Sequence, residues 1–353
     1  MKLHTRLAWV VTMMFAVALV GGCPKPEQQI ISEAPQGAEP DEGTSAEGGP
    51  FTISMIAKSS TNPVFLSART GAEDAARELS EELGRDIVID WRTPPTEDGQ
   101  VQAQRIAQAV NEGADAILIS CSDAAKVTGA IDDAVARGVP VMTFDSDAPD
   151  SDRFAYYGVD DIKTGEAVMN ELAALLGEEG KVAILAGNQN APNLQKRVQG
   201  VAQAAQQYPG IEIVGTFYHT ETPQDAAAEV ARVMNAYPGI NGWAFIGGWP
   251  LFTKSLLTDL DPERVTVVSV DALPAELPYV EAGITPVLLA QPTYMWGYVS
   301  VATIVDKAVR GEDVAEMQEM ELVRVTRDNL GEWARQLKDW GFEDVDPKYL
   351  EMQ

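Results

Sequence analysis

The sequence predicts an α/β protein built from two doubly wound, parallel-sheet lobes of Rossmann-like type. From Phe51 onward, short runs rich in β-branched residues alternate with longer runs whose apolar residues recur at helical spacing. The runs at 117–119 and 182–185 are continuously apolar, which is typical of strands covered by helices on both faces. The alternation occurs twice, once before and once after about Tyr157, and therefore indicates two lobes.

The predicted elements follow one another in regular order. Strands are predicted at residues 52–57, 86–91, 116–120, 140–144, 181–185, 212–218, 242–246, 265–270 and 286–290. Helices are predicted at residues 63–83, 100–111, 124–137, 164–176, 191–208, 223–236 and 293–310. Glycines such as Gly84, Gly138 and Gly177 follow several of these helices, which indicates left-handed C-terminal caps.

Residues 1–22 have the pattern of a bacterial lipoprotein signal peptide. Lys2 and Arg6 form a short positive region, and residues 7–20 form an apolar run that is too short to span a bilayer comfortably. The run ends in Leu-Val-Gly-Gly-Cys, in which Cys23 stands where a lipobox places the cysteine that becomes lipidated. The alternative is an ordinary secretion signal with an incidental cysteine. We expect lipidation of Cys23 and attachment to the periplasmic side of the cell envelope.

Residues 23–50 form a candidate tether between this anchor and the folded body. They are rich in Pro, Glu, Gln, Gly and Ser, and Ile30 and Ile31 are their main large apolar side chains. Such a segment cannot bury enough apolar surface to offset the entropy lost on ordering. We therefore expect a flexible segment that contacts the membrane through the lipid alone.

Composition excludes several function classes. The chain of 353 residues has a formal net charge of −27, and this acidity disfavours binding to nucleic acid or to anionic lipid headgroups. The sequence contains two cysteines and two histidines. With Cys23 lipidated, Cys121 has no partner for a disulfide. Because the other histidine lies in the signal peptide, His219 alone cannot form a multi-histidine metal site. We expect no metal and no cofactor.

The residues that follow the predicted strands form the candidate binding site, because ligands of open α/β sheets bind outside the carboxyl ends of the strands. They comprise carboxylates, side-chain amides, aromatic rings and a lysine. Sugar hydroxyls suit this set, since each can donate to an aspartate and accept from an amide while a ring covers the apolar face. We therefore expect a monosaccharide or similar polyol as the ligand. The candidate ligand-binding residues are Lys58, Asn62, Phe65, Asp145, Asn193, Gln195, Trp249, Asp271 and Gln291.

Four stretches of the chain each join a strand to a polar residue at or near its end. They are residues 52–65, 138–145, 267–271 and 286–292, which contain Asn62, Asp145, Asp271 and Gln291 respectively. In this order, within residues 52–326, they resemble the ribose-type periplasmic sugar-binding proteins. Members of that family have the type I periplasmic binding fold and act as substrate-binding proteins of ABC transporters.

The resemblance implies ligand contacts by Asn62, Phe65, Asp145, Asp271 and Gln291. It also implies that the chain crosses between the lobes three times, so that three strands form a hinge. The N-terminal lobe would then comprise residues 51–157 and 292–322, and the C-terminal lobe residues 158–291 and 323–353. As partners the resemblance implies ABC permease subunits, and we expect the protein to be a monomer.

Three positions depart from the family pattern. Ser146 and Gln195 stand where ribose binders place arginines, and Gly248-Trp249 stands in place of an Asn-Asp pair. Lys58 is a candidate replacement for one missing cation. Because the hydrogen-bond donors differ, the sequence does not identify the sugar as ribose.

Three other interpretations remain at this point. Residues 145–152 have the aspartate spacing of a calcium loop but lack the glycine at its sixth position and the glutamate at its twelfth, which favours a solvated loop. Asp145 and Asp271 could form the carboxylate pair of a glycoside hydrolase, although we expect a binding protein and not an enzyme. The third is a receptor module that serves a chemoreceptor or sensor kinase instead of an importer.

Overall fold

A computed structural model describes residues 49–257 and 259–352. The predicted signal peptide, the predicted lipidation site Cys23 and almost all of the predicted tether lie outside these residues. Within them, the chain forms two six-stranded sheets flanked by helices. In the same part of the chain, none of the helices combines the length and the apolar character that crossing a bilayer requires.

The helices and strands alternate along most of the chain. The strands are β1 Phe51–Ile56, β2 Ile87–Trp91, β3 Ala116–Ile119, β4 Val141–Phe144, β5 Ala155–Gly158, β6 Glu179–Ala186, β7 Gly210–Tyr218, β8 Gly242–Phe245, β9 Thr266–Val270, β10 Val287–Ala290, β11 Met317–Glu319 and β12 Val323–Val325. The helices are α1 Pro63–Leu83, α2 Gly99–Asn111, α3 Ala124–Ala136, α4 Asp161–Leu176, α5 Pro192–Ala205, α6 Pro223–Ala236, α7 Leu277–Glu281, α8 Thr293–Val305, α9 Leu330–Asp339 and α10 Pro347–Leu350. A 3-10 turn at Trp249–Leu251 follows β8, and a π-helical turn at Asp306–Arg310 follows α8.

The two sheets have equivalent topologies. The first has the order β11-β5-β4-β3-β1-β2 with parallel pairs throughout the described strands. The second has the order β12-β10-β9-β8-β6-β7, in which the edge strand β12 is antiparallel to β10. The prediction of two doubly wound sheets is therefore confirmed. In each sheet the strand order reverses between two neighbouring strands, which are β1 and β3 in the first sheet and β6 and β8 in the second. This reversal places a crevice at the carboxyl ends of these strands.

The chain passes between the two sheets at three places within the described residues. These places are the connections from β5 to α4, from β10 to α8 and from β11 to β12. Helix α8 packs against α1 beside the first sheet, whereas Leu330, Trp333 and Tyr349 belong to the core of the second. Each sheet thus receives elements from separate parts of the sequence.

Close helix packing fixes the position of α5, which carries site residues. A Cβ atom added at Gly165 of α4 would lie 2.0 Å from the backbone oxygen of Arg197, and one added at Gly200 of α5 would lie 2.1 Å from that of Ile162. The two helices therefore approach backbone to backbone, which other residues at these positions would prevent. This contact holds Asn193 and Arg197 at the edge of the second sheet. A similar glycine contact joins α1 and α8 beside the first sheet.

Candidate functional site

Two aspartates lie at the carboxyl ends of corresponding strands in the two sheets. Asp145 follows β4 and Asp271 follows β9, and both side chains are buried. Both residues have a positive φ, 57° for Asp145 and 75° for Asp271. This left-handed conformation is uncommon outside glycine and is best tolerated by Asp and Asn. Because such backbone strain clusters at functional sites, the pair marks a candidate site.

Donors from both sheets hold Asp145. Its Oδ2 accepts a hydrogen bond from Ser120 Oγ at 2.7 Å and lies 3.6 Å from Lys58 Nζ. Its Oδ1 accepts a hydrogen bond from Asn193 Nδ2 at 3.0 Å. Ser120 and Lys58 follow strands of the first sheet, whereas Asn193 lies on α5 beside the second. The carboxylate therefore links the two sheets directly.

A second set of contacts holds Asp271 and connects it to Asp145. The carboxylate of Asp271 accepts hydrogen bonds from the backbone N–H of Gly248 at 3.1 Å and from Gln291 Nε2 at 2.8 Å. Gln291 Oε1 accepts in turn from Arg197 Nη2 at 2.8 Å. The same guanidinium lies 4.0 Å from Asp145 Oδ1. Arg197 is thus the centre of a network that joins both aspartates.

The structure places Arg197, and not Gln195, in this network. Gln195 is exposed and its Nε2 donates to the backbone oxygen of Gln189 at 2.7 Å, whereas Arg197 is 2 % exposed. The predicted contact by Gln195 therefore does not fit the structure. The helical repeat could have found Arg197, because it follows Asn193 by four residues and shares its face of α5, while Gln195 faces away.

Arg197 also neutralises a buried carboxylate behind the site. Its Nε donates to Asp161 Oδ1 at 2.8 Å, and its Nη1 donates to the backbone oxygen of Ile246 at 3.2 Å. Burial raises the pKa of Asp161 to about 6, although the charge of Arg197 acts in the opposite direction. Burial likewise raises the pKa of Asp271 against the influence of Arg197. The guanidinium is therefore needed to keep these groups ionised.

An aromatic wall closes the first-sheet side of the site. Asn62 caps α1, since its Oδ1 accepts a hydrogen bond from the backbone N–H of Val64 at 3.2 Å, and this cap places Phe65 in the first turn. Phe65 stacks on Trp296 of α8 with ring centroids 6.1 Å apart. Lys58 Nζ lies 5.8 Å from the centroid of the Phe65 ring. Trp296 is a further site residue that the sequence did not indicate, because α8 is apolar on nearly every side.

Trp249 closes the opposite side of the site. It begins the 3-10 turn after β8 and is buried. Its Nε1 donates a hydrogen bond to Glu221 Oε2 at 3.2 Å, and its ring meets that of His219 edge to face at 4.8 Å. The indole is therefore fixed in orientation by a neighbouring carboxylate.

The predicted residues meet around one small cavity, with the exception of Gln195. The residues of the prediction that line it are Lys58, Asn62, Phe65, Asp145, Asn193, Trp249, Asp271 and Gln291, and Arg197, Glu221 and Trp296 line it as well. Its volume is about 30 Å³, whereas small-molecule sites have roughly 300–1,000 Å³. Side chains of the two sheets contact each other across this space, as Asn193 and Asp145 do, so it is too small for a small molecule while these contacts persist.

The first two aspartates of the loop after β4, Asp145 and Asp147, bind the protein's own basic groups. Arg153 donates from Nε to Asp147 Oδ1 at 2.6 Å and from Nη2 to Asp147 Oδ2 at 2.8 Å. Asp145 is held by Lys58 and its neighbours as described above. Within residues 49–257 and 259–352, no three or more His, Cys, Asp or Glu side chains are arranged to hold a metal ion.

The chain is similar to known binding proteins in sequence. A family model described as a periplasmic binding protein domain matches residues 53–313. The ribose import binding protein of Bacillus subtilis (strain 168) is 30% identical over 175 residues, which are 50% of this chain and 54% of that protein. The D-apiose import binding protein of Actinobacillus succinogenes is 26% identical over 191 residues, which are 54% of this chain and 59% of that protein. The matches thus span little more than half the length of these relatives.

The chain is also similar to solved structures. One is an ABC transporter solute-binding protein from Burkholderia graminis C4D1M in complex with D-arabinose. It matches with a TM-score of 0.75 and 24% sequence identity, over 80% of this chain and 98% of that one. At this identity the similarity shows the fold alone, and that fold extends over nearly the whole of the solved protein.

Proposed function

Because the chain belongs to the periplasmic binding protein family and has the type I fold, we propose that it captures a monosaccharide or similar polyol and delivers it to an ABC importer. The observation that carries the proposal is the pair of buried strand-end aspartates, Asp145 and Asp271, joined through Arg197. The family match and the relatives, which are binding proteins by name, confirm the expectation of a binding protein and not an enzyme.

In this proposal the sugar replaces contacts that the protein now makes with itself. Asp145 and Asp271 accept hydrogen bonds from sugar hydroxyls, while Arg197, Asn193 and Gln291 donate to them. The rings of Phe65, Trp296 and Trp249 cover the apolar C–H surface of the sugar. Each hydrogen bond to a charged group contributes about 1.5–3 kcal/mol when water is excluded, so a few of them reach the roughly −8 kcal/mol of micromolar binding after ordering costs.

The proposal includes a clamp that closes on the ligand. We propose that two lobes move about the three connections between the sheets. The first lobe comprises residues 51–157 and 292–322, and the second comprises residues 158–291 and 323–353. A sugar bound to Asp145 of one lobe and Asp271 of the other makes its full set of contacts in the closed form. The closed form is then favoured by differential contacts, as in other hinge closures.

A thermal-shift screen tests the proposed ligand class. We expect at least one monosaccharide or polyol to raise the melting temperature of the purified protein, since a ligand at 100 times its Kd adds about 2.7 kcal/mol to the free energy of unfolding. Amino acids serve as the comparison class, because the guanidinium of Arg197, which could otherwise bind an α-carboxylate, already donates to Asp161 and Gln291. Stabilisation by amino acids and by none of the sugars would refute the proposal.

We further propose that Cys23 carries the lipid that anchors the protein at the periplasmic side of the cell envelope. The support is the sequence pattern of residues 1–23 alone. Cys23→Ser should reduce metabolic labelling with a palmitate analogue to background, because the serine cannot form the thioether to the lipid. Cys121→Ser is the matched control and should leave labelling unchanged. Persistent labelling of the Cys23 variant would exclude the anchor.

A further inference from the structure

A second group of polar side chains, buried or half-buried, surrounds a larger cavity beside the proposed sugar site. This cavity has a volume of about 800 Å³, which is within the range of small-molecule sites. Glu97 and Ser122 line it from loops that follow β2 and β3, and His219 and Glu221 line it from the loop that follows β7. Glu221 also lines the small cavity that contains Asp145, so the two spaces adjoin.

Several polar atoms around the larger cavity are buried without a partner. The Oγ of Ser122 and the Nε2 of His219 make no hydrogen bond to any residue that the structure describes, and the Glu97 carboxyl group faces Glu221 and the side chain of Asn188 without a well-formed hydrogen bond. Ser122 as a whole is 1 % exposed. Buried polar atoms in native proteins are nearly always paired. Their concentration here indicates a ligand that pairs with them.

Glu97 and Glu221 lie close enough for their carboxyl groups to interact directly. Glu221 already accepts hydrogen bonds from the backbone N–H of Asn188 at 2.8 Å and from Trp249 Nε1 at 3.2 Å. Two carboxylates have no hydrogen to share and repel each other. Burial, followed by the charge of Glu221, raises the pKa of Glu97 well above its usual range. A proton held between the two groups therefore supplies the missing donor.

The charges around this cavity favour a cation. Even with Glu97 protonated, its lining includes the carboxylates of Asp98, Asp123 and Glu221, against the single positive charge of Lys126 among the described lining residues. Lys58 lies near both glutamates, but it also forms an ion pair with Asp145 at 3.6 Å. The positive N-terminus of α2 is already matched by Asp98, whose side chain accepts from the backbone N–H groups of residues 100 and 101.

We propose that Glu97 and Glu221 bind a protonated amino group of the ligand, so that the protein prefers an amino sugar to the corresponding neutral sugar. An ammonium group carries one positive charge and three N–H donors, which are what two facing carboxylates lack. Ser122 Oγ and the neutral Nε2 of His219 can accept its remaining hydrogen bonds, since burial lowers the pKa of His219. When the ammonium enters, the proton on Glu97 leaves to solvent.

This inference rests on the proposed function, because the sugar ring is held by Asp145 and Asp271 while its amino group reaches the adjoining cavity. It also predicts that Glu97 and Glu221 act from opposite sheets, as Asp145 and Asn193 do. The amino group would therefore stabilise the closed form of the clamp as well as raise the affinity for the ligand.

Calorimetry on the mature chain tests the inference with D-glucosamine, D-galactosamine and D-mannosamine beside D-glucose, D-galactose and D-mannose. Titrations near pH 7 in two buffers of different ionisation enthalpy measure the protons released. We expect one amino sugar to bind at least about tenfold more tightly than its parent and to release close to one proton. Glu97→Gln should abolish both the preference and the proton release while neutral sugars still bind. Glu81→Gln, the same change on the exposed face of α1, is the control and should alter neither.

The outcomes separate this inference from the proposed function. If neutral sugars bind as tightly as the amino sugars, the ammonium subsite is wrong and the sugar site stands. A preference for D-glucose 6-phosphate over D-glucose and D-glucosamine would show that the helix N-termini around the cavity bind an anion, which also refutes it. Retention of the amino-sugar preference by a folded Glu97→Gln variant would place the amino group elsewhere. If no sugar of either kind binds, both proposals fail.

Discussion

Replacing Asp145 by asparagine is expected to weaken sugar binding by about ten- to several-hundredfold. The change removes at least one charge-assisted hydrogen bond, each of about 1.5–3 kcal/mol, and every 1.4 kcal/mol is tenfold in Kd. Asparagine also turns its amide N–H₂ toward one of the two groups that now donate to the carboxylate, either Ser120 Oγ or Asn193 Nδ2. Calorimetry with the sugar that gives the largest thermal shift measures the loss.

The matched control is Asp133→Asn, which removes one exposed carboxylate from α3 beside the same sheet. It should bind the sugar as the wild type does, because Asp133 does not line the cavity around Asp145. If Asp145→Asn binds like the wild type, the strand-end aspartate does not contact the ligand. The pairing of Asp145 with a sugar hydroxyl would then be wrong whatever the fold.

The same substitution is expected to lower the stability of the protein without sugar. The sequence alone suggests a solvated carboxylate at the mouth of an open cleft, whose removal would cost little. The structure instead buries Asp145 beside Lys58, whose ammonium lies 3.6 Å from Oδ2. Because the substitution leaves this buried cation without its nearest counter-charge, the free energy of unfolding should fall by about 1–3 kcal/mol.

Arg197→Ala is expected to have the largest effect on stability, a loss of about 3–5 kcal/mol in the free energy of unfolding. The guanidinium is buried and bonds to Asp161, Gln291 and the backbone oxygen of Ile246. Alanine leaves the buried carboxylate of Asp161 uncompensated. Urea unfolding followed by circular dichroism measures the change.

The loss should depend on pH in a definite direction. Asp161 has a pKa of about 6 in the folded protein, against about 3.9 in an unfolded chain. The folded protein therefore holds this proton more tightly, and its stability falls as the pH rises from about 4 to about 6. Without Arg197 the pKa of Asp161 rises further, so the fall continues to higher pH. Arg197→Ala should consequently cost more at about pH 7.5 than at about pH 5.

Arg232→Ala is the control for this experiment. Arg232 forms an ion pair with Glu229 on the exposed side of α6, and such surface pairs contribute about 0.2–1 kcal/mol. A loss in Arg197→Ala no greater than in Arg232→Ala would contradict the buried network. So would an equal loss at both pH values, because the titration of Asp161 would then play no part.

Local sequence signals determine how well each element can be predicted. Helices α1 and α6 begin and end at the predicted residues, since each starts with a proline directly after a capping side chain, Asn62 or Thr222. The short strands β5, β11 and β12 were not predicted. They contain three or four residues each and few apolar side chains in alternation. Pairing with neighbouring strands, and not their own composition, makes them extended.

The sequence predicts those site residues whose positions follow from the sheet topology alone. Residues directly after parallel strands, such as Asp145, Asp271 and Gln291, reach the same edge in any doubly wound sheet. Residues on helices depend on the rotation of the helix. For α5 the apolar repeat indicates which side of the helix faces the sheet, and it would have favoured Arg197 over Gln195. Helix α8 is apolar on nearly every side, so its sequence does not indicate that Trp296 faces the site.

The pair Glu97 and Glu221 could not be inferred from the sequence for a different reason. Both residues lie in loops whose paths depend on how the two sheets meet, 124 positions apart in the chain. Nothing in the local sequence indicates that two carboxylates of like charge should become neighbours. Their proximity, and the proton or ammonium that it requires, follow from the arrangement of the folded chain.

A crystal structure of the complex with the most stabilising sugar tests the central claim most directly. The account predicts one sugar ring between the two sheets, with hydroxyl oxygens about 2.5–3.0 Å from carboxylate oxygens of both Asp145 and Asp271. It also predicts that the hydrogen bond from Asn193 to Asp145 and the bond from Gln291 to Asp271 are replaced or shared by sugar hydroxyls. A sugar bound outside this cleft, or one that contacts neither aspartate, would contradict the account.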